Sequence, residues 1–389
     1  MKILSLAFIL FFAFTNLAGA AEPSKAESIL FAQPPLNRDI TLQRSDFDKQ
    51  TILVNETPLN DPSLAFSVRL PITWKKINSV SVANVTQSPD VFDTLVEYVS
   101  PDTADSRSSF RVRVATLPFA ISAKNWVLKF IVTNNYTLQG LEEVNEKRIA
   151  AQYVYVDNGT QYVSRMVVSI SGSRVIMAEM IMPVSVWATL RDNAVWSMIT
   201  FKMDSVSDAP MEEMLTYTMA NTVSFSYPKS WLLYKDPIRS TERMNAVLVN
   251  VRGGSEGRTI ESQSDLMALE LDGRMDITSF VKKDAQSLAT EMATLKKDLT
   301  DMGFELGDYI SELKIPVTQK SILQSRHDVY KIASNRLRIL DYELWISVIE
   351  TKDRYVIIRT LSIGRHNDFY AWARNYEALK LFLRSLDIK

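Results

Sequence analysis

A chain of 389 residues with 46% hydrophobic side chains and only 11 glycines is longer than one typical core requires, which points to two globular domains. Its 44 basic and 45 acidic side chains nearly cancel, so no basic excess exists to hold nucleic acid or an anionic lipid surface. The absence of cysteine excludes disulfides, thiolate nucleophiles, thiolate metal sites and an acylated amino-terminal cysteine.

Met1 and Lys2 form a short positive segment, Ile3 to Phe14 is an apolar run, and Ala18-Gly19-Ala20 is a small-residue cleavage site. This is the layout of a secretory signal peptide over 1–20, cut before Ala21. Export to a bacterial periplasm is the resulting expectation. Cleavage would remove Lys2 and move the net charge from −1 to −2. No later run reaches 18 apolar residues, so no transmembrane segment is expected in the mature chain.

Residues 21–61 are polar and carry Pro23, Pro34, Pro35 and Pro58, the composition of a leader arm whose one strand candidate is Thr51–Val54. A first domain is expected over 62–203. Phe66, Val68 and Leu70 alternate on one face of a strand, Pro71 ends the ladder because it has no N–H, and Trp74 follows. Thr94–Val99 and Phe110–Val114 are further strands, and Ser122–Asn134 is a helix with Trp126 and Phe130 on its apolar side. Asn158-Gly159 sits between alternating apolar runs, the pattern of a type I′ hairpin turn. Ser171-Gly172-Ser173 turns the chain into Val175–Met182, and Ser185 is placed to cap a helix bearing Trp187, Leu190, Ala194 and Met198.

After an acidic linker over 204–214, the opening pattern returns. Val223, Phe225 and Tyr227 match the earlier apolar positions, and Pro228 and Trp231 match Pro71 and Trp74. A second domain over 215–389 then repeats the order: strands at Ala246–Val251 and Leu266–Leu271, and a long helix from Asp276 or Thr278 to Gly303. Strands follow at Val329–Ile332, Leu337–Ile349 and Tyr355–Ile363, and then a last helix capped by Asn367 or Asp368 and bearing Tyr370, Ala373, Tyr376, Leu379 and Leu383. Pairing Pro71 with Pro228 gives a lag of 228 − 71 = 157, and pairing Met203 with Ile388 gives 388 − 203 = 185. The second unit is longer by the difference, assigned to the long helix and to Glu305–Gln324. Antiparallel hairpins with helices at separate points make an α+β fold: two tandem antiparallel-sheet domains with helices packed on the sheet.

The early strand–Pro-x-x-Trp string, with helices ending in runs such as Trp196–Phe201 and Leu381–Leu386, resembles the PsbP-like and DcrB-like α/β/α sandwich proteins. Two departures stand out: Thr73 and Ser230 occupy the place of a glycine before the tryptophan, and Ser385-Leu386 replaces a Ser-Phe ending. The resemblance implies an extracytoplasmic accessory protein without catalytic residues.

Candidate chemistry is sparse. Gly253-Gly254-Ser255-Glu256-Gly257 matches the G-x-S-x-G pattern, which serves a hydrolase only at a sharp strand-to-helix bend. A hairpin loop fits these residues better. His327 and His366 are the only histidines, lie in no metal-ligand spacing, and are expected at the surface or at a cap. No phosphate-binding glycine loop is present, and no cofactor is expected. Pro71, Trp74, Pro228, Trp231, Asn158 and Gly159 are structural candidates, with the two tryptophans as core plugs. The expectation is a non-catalytic periplasmic factor that binds other envelope proteins. A Ser255 hydrolase and a carrier of a lipid or small ligand are the alternatives.

Overall fold

The computed structural model describes residues 25–77, 92–103, 107–284, 286–301, 303–334 and 342–389. The expected signal peptide lies outside the described residues.

Near the start, the chain makes two short helices, α1 (Lys25–Phe31) and α2 (Arg44–Gln50), and strand β1 (Thr51–Glu56). Strands β2 (Phe66–Pro71), β3 (Lys75–Ile77), β4 (Asp93–Val99) and β5 (Ser109–Thr116) precede helix α3 (Ala123–Thr133). A meander follows: β6 (Thr137–Asn145), β7 (Arg148–Asp157), β8 (Thr160–Ser171) and β9 (Arg174–Pro183). Helix α4 (Val184–Thr200) and the short β10 (Lys202–Met203) end this half.

The second half runs β11 (Met214–Met219), β12 (Val223–Pro228), β13 (Leu232–Tyr234), β14 (Arg243–Val251), α5 (Gln263–Met267), β15 (Leu271–Val281) and α6 (Ser287–Asp301). It closes with β16 (Phe304–Glu312), β17 (Ile322–Ser334), β18 (Tyr342–Thr351), β19 (Arg354–Ile363), α7 (Phe369–Ser385) and β20 (Asp387–Ile388).

These strands build an α+β fold with two seven-stranded antiparallel sheets, in the orders β3-β4-β5-β9-β8-β7-β6 and β13-β14-β15-β19-β18-β17-β16. Two three-stranded sheets, β1-β2-β10 and β11-β12-β20, complete it. The halves therefore follow one strand order. Register agrees as well: Phe66 faces Met203 in the first small sheet, and Val223 faces Ile388 in the second. Thr51–Glu56 pairs along β2 just as Met214–Met219 pairs along β12.

Each large sheet is covered on both faces. In the first half, α3 lies over one face through Trp126, Val127 and Ile131. Helix α4 and the small sheet cover the other through Phe66, Val68, Met198 and Phe201. In the second half, α6 covers one face through Leu295 and Leu299. Helix α7 and the second small sheet cover the opposite face with Phe225, Leu379 and Phe382. The α3 face of the first half and the α7 face of the second merge into one apolar cluster. Buried positions consequently occur nearly all round α7, as expected for a helix enclosed on more than one side.

Several expected elements require correction. Leu266 belongs to helix α5, whose capping box uses Ser262 and Asp265 reciprocally. Asp276 and Thr278 do not start a helix: they lie in β15, a central strand between β14 and β19. Burial of four consecutive residues near its end removes the alternation that marks a strand. The long helix begins only at Ser287, and Lys282 and Lys283 precede it as ion-pair partners of Glu350 and Glu242. The segment after it is the edge strand β16, topologically equivalent to β6. Ser185 does not cap α4, because Pro183 holds the cap position without a side-chain hydrogen bond.

Other local readings match. Asn158 and Gly159 have φ of 47° and 79° at the β7–β8 turn, the positive pair that a type I′ turn requires. Asp368 caps α7 by accepting the Ala371 N–H at 2.9 Å.

Candidate binding cleft

Where the two halves meet, a cleft of about 510 Å³ opens between α1, α3, α7, the end of β6 and residues 311–316. Its wall is a product of helical spacing. Phe369, Trp372 and Tyr376 stand three and four residues apart on α7, so their rings share a face and stack. Phe369 and Trp372 lie 5.9 Å apart at 15°, and Trp372 and Tyr376 lie 5.5 Å apart at 5°.

Arg365 caps this stack. Its guanidinium carbon is 3.8 Å from the Trp372 ring centroid and 4.9 Å from that of Phe31, so one cation is held between aromatic rings from opposite ends of the chain. Its Nη1 donates to the Leu30 carbonyl at 3.2 Å, while its Nε is buried with no hydrogen-bond partner. Burial lowers the Arg365 pKa from its ordinary value. Behind the stack, the Glu343 carboxylate accepts from both Trp345 Nε1 (2.9 Å) and Trp372 Nε1 (2.8 Å), which fixes the ring orientations.

Charges of both signs rim the cleft. Glu146, at the β6–β7 turn, accepts from Arg384 Nη1 at 2.7 Å and lies 4.0 Å from Lys380. The Arg384 hydrogen bond is the chief cause that lowers the Glu146 pKa. Lys129 sits over the Tyr370 ring at 4.2 Å and Arg374 over the Phe119 ring at 3.6 Å, two further bridges between the halves. Lys124, Glu143, Glu312 and Lys314 complete the mouth. The cleft thus combines stacked aromatics, a desolvated arginine and charges of both signs.

The predicted site residues lie elsewhere. Trp74 and Trp231 are buried, and each donates its backbone N–H to the carbonyl of the proline three residues before it, at 3.0 and 2.9 Å. Ser255 lies in a loop after β14, and the next helix begins only at Gln263. Neither ring nitrogen of His327 has a hydrogen-bond partner, so His327 does not activate Ser255. His366 packs against Phe31 at 4.8 Å. Among the described residues, no group of three or more potential ligands could hold a metal ion, and no helix is long and apolar enough to cross a membrane.

His327 is not at the surface, contrary to the sequence reading. It is 3% exposed on β17, opposite Ser347 of β18, because the chain after β16 folds back and Leu313 donates its N–H to the His327 carbonyl at 2.8 Å. Desolvation lowers its pKa to about 4, against a small opposing effect of Asp328. The unfolded chain protonates near 6.5, and the folded one resists protonation down to about 4. The stability present above pH 6.5 is therefore lost as pH falls through this window, by about 3 kcal/mol. Denaturant titrations at several pH values should show this loss, and His327→Leu should remove it.

Phe369 and Trp372 were missed because the sequence reading gives the last helix the stripe Tyr370, Ala373, Tyr376, Leu379 and Leu383. The signal was present in Phe369, Trp372 and Tyr376, but only the second packed surface makes that face meaningful.

No protein-family model and no curated protein matches the chain. Among solved structures, it is similar to the cyanobacterial PsbP protein of Synechocystis, at 15% identity over 39% of this chain and 92% of that one, with a TM-score of 0.29. It is also similar to LpqN of Mycobacterium tuberculosis, involved in cell envelope biogenesis, at 13% identity over 41% and 96%, with a TM-score of 0.26. A T6SS immunity protein, TplEi of Pseudomonas aeruginosa, aligns over 88% of this chain and 98% of its own, at 9% identity and a TM-score of 0.21.

Proposed function

We propose that this chain is an exported, non-catalytic binding factor that takes a segment of another envelope protein into the cleft between its halves. The carrying observation is the Phe31–Arg365–Trp372–Tyr376 stack, because it combines a desolvated cation with ordered aromatic rings where both halves contribute. The shared strand order supports reading 62–203 and 215–389 as tandem copies of one PsbP-like or DcrB-like unit, joined by 204–214. Export rests on the leader sequence, and amino-terminal sequencing of the exported protein should begin at Ala21.

Charge reversal at the mouth tests the binding role without disturbing the core. Lys124→Glu with Lys314→Glu should reduce capture of partners from envelope extract at least tenfold relative to wild type. Lys296→Glu with Lys297→Glu, on α6 away from the cleft lining, should leave capture unchanged. Equal capture by both variants would contradict the assignment.

A further inference from the structure

Between α1 and α2 the chain forms a strap, residues 33–42, laid along the edge strand β6 and across α4. The body holds it mainly by its backbone. Leu141 N–H donates to the Pro34 carbonyl at 2.9 Å, and Pro35 forms a parallel bridge to Leu141. Arg165 Nη1 donates to the Asn37 carbonyl at 2.8 Å, Arg191 Nη2 to the Asp39 carbonyl at 2.5 Å, and Trp196 Nε1 to the Leu42 carbonyl at 2.9 Å. Asp192 Oδ2 accepts the backbone N–H groups of Thr41 (2.7 Å) and Leu42 (2.8 Å).

Side chains of the strap contribute little. Leu36 alone is buried, while Asn37, Arg38, Asp39 and Thr41 are exposed. Three side-chain contacts set polarity: Arg38 pairs with Glu142 at 2.5 Å, the Thr41 hydroxyl donates to Asp192 at 2.6 Å, and Asn37 Oδ1 accepts from Arg191 Nη2 at 3.2 Å. Gly140 makes the close approach possible, since a Cβ there would lie 2.8 Å from Leu36 Cα and 2.9 Å from the Pro35 oxygen. A groove that reads main chain, admits one aliphatic side chain and pairs one cation is built for extended peptides in general.

We propose that this track is a binding site for an extended segment of a partner protein, and that the strap is its resident, exchangeable occupant. The segment that fits carries an aliphatic residue in the place of Leu36, a basic residue two positions later facing Glu142, and a hydroxyl residue facing Asp192. This surface adjoins the aromatic cleft at Gln33 but uses different partner residues, and its test does not depend on that assignment.

The probe is a fluorescent peptide of residues 33–43, added to full-length protein in which Leu36→Ser and Arg38→Glu loosen the strap and leave the body intact. Fluorescence anisotropy should show saturable binding at least tenfold tighter than to wild type, whose tethered strap competes at high effective concentration. Adding Asp192→Ala to the loosened protein should lower that binding at least tenfold. If the double substitution fails to fold by circular dichroism, Arg38→Glu alone serves. Absence of saturable binding to the folded loosened protein, or binding indifferent to Asp192→Ala, would overturn the proposal. Wild-type protein found by light scattering to be a strap-exchanged dimer would assign the track to a second copy and also overturn it.

Discussion

Glu179→Ala should destabilise the protein by about 3 kcal/mol, because it leaves a partly buried guanidinium without its counter-charge. Glu179 is 0% exposed on β9, beneath α3, and Arg113 Nε donates to its Oε2 at 2.9 Å. Tyr153 donates its hydroxyl to the other carboxylate oxygen. Burial, the Glu179 charge and this hydrogen bond together push the Tyr153 pKa well above its ordinary value. For Arg113 burial acts downward, but the attraction of Glu179 and its other neighbours outweighs it and the net shift is upward. Phe92 covers the guanidinium at 5.1 Å, and the Arg113 side chain is 23% exposed, so water only partly replaces the lost carboxylate. Exchanging both partners, Arg113→Met with Glu179→Met, should restore much of the loss, since an apolar pair leaves no stranded charge. Urea denaturation of the two single variants and the double variant measures this coupling.

Trp231→Ala should cost a similar amount, about 3–5 kcal/mol, through lost burial and the cavity left behind. Trp231 is 3% exposed and belongs to the cluster that joins α7, the second small sheet and the α3 face. Its position is set locally by the tight turn after Pro228, so the indole cannot be replaced by a shift of neighbouring strands. A melting temperature that hardly moved would show that the ring does not fill the core.

The opening strands of the two halves were legible because the residues that mark them obey local rules. Alternation at Phe66, Val68 and Leu70 and at Val223, Phe225 and Tyr227 is enforced by small sheets with one buried face. The Asn158-Gly159 turn and the Asp368 cap need only their own backbone geometry. What escaped was set by distant packing. β15 is enclosed on both faces, so its sequence lost the period-two signal and its Asp276 and Thr278 imitated helix caps. β6 and β16 are edge strands with register shifts, and their irregular patterns look like loop. The burial of His327 depends on Leu313, and the cleft depends on Phe31 meeting Arg365, residues that no local window brings together.

The two large sheets share one apolar core, and the proposed binding cleft lies where the halves join. Differential scanning calorimetry of the full-length protein examines this most directly. A continuous apolar cluster across α3 and α7 predicts one endotherm, with calorimetric and van't Hoff enthalpies in agreement. Two separated transitions, each with the enthalpy of a half-sized domain, would contradict a common core and remove the rigid wall on which the cleft depends.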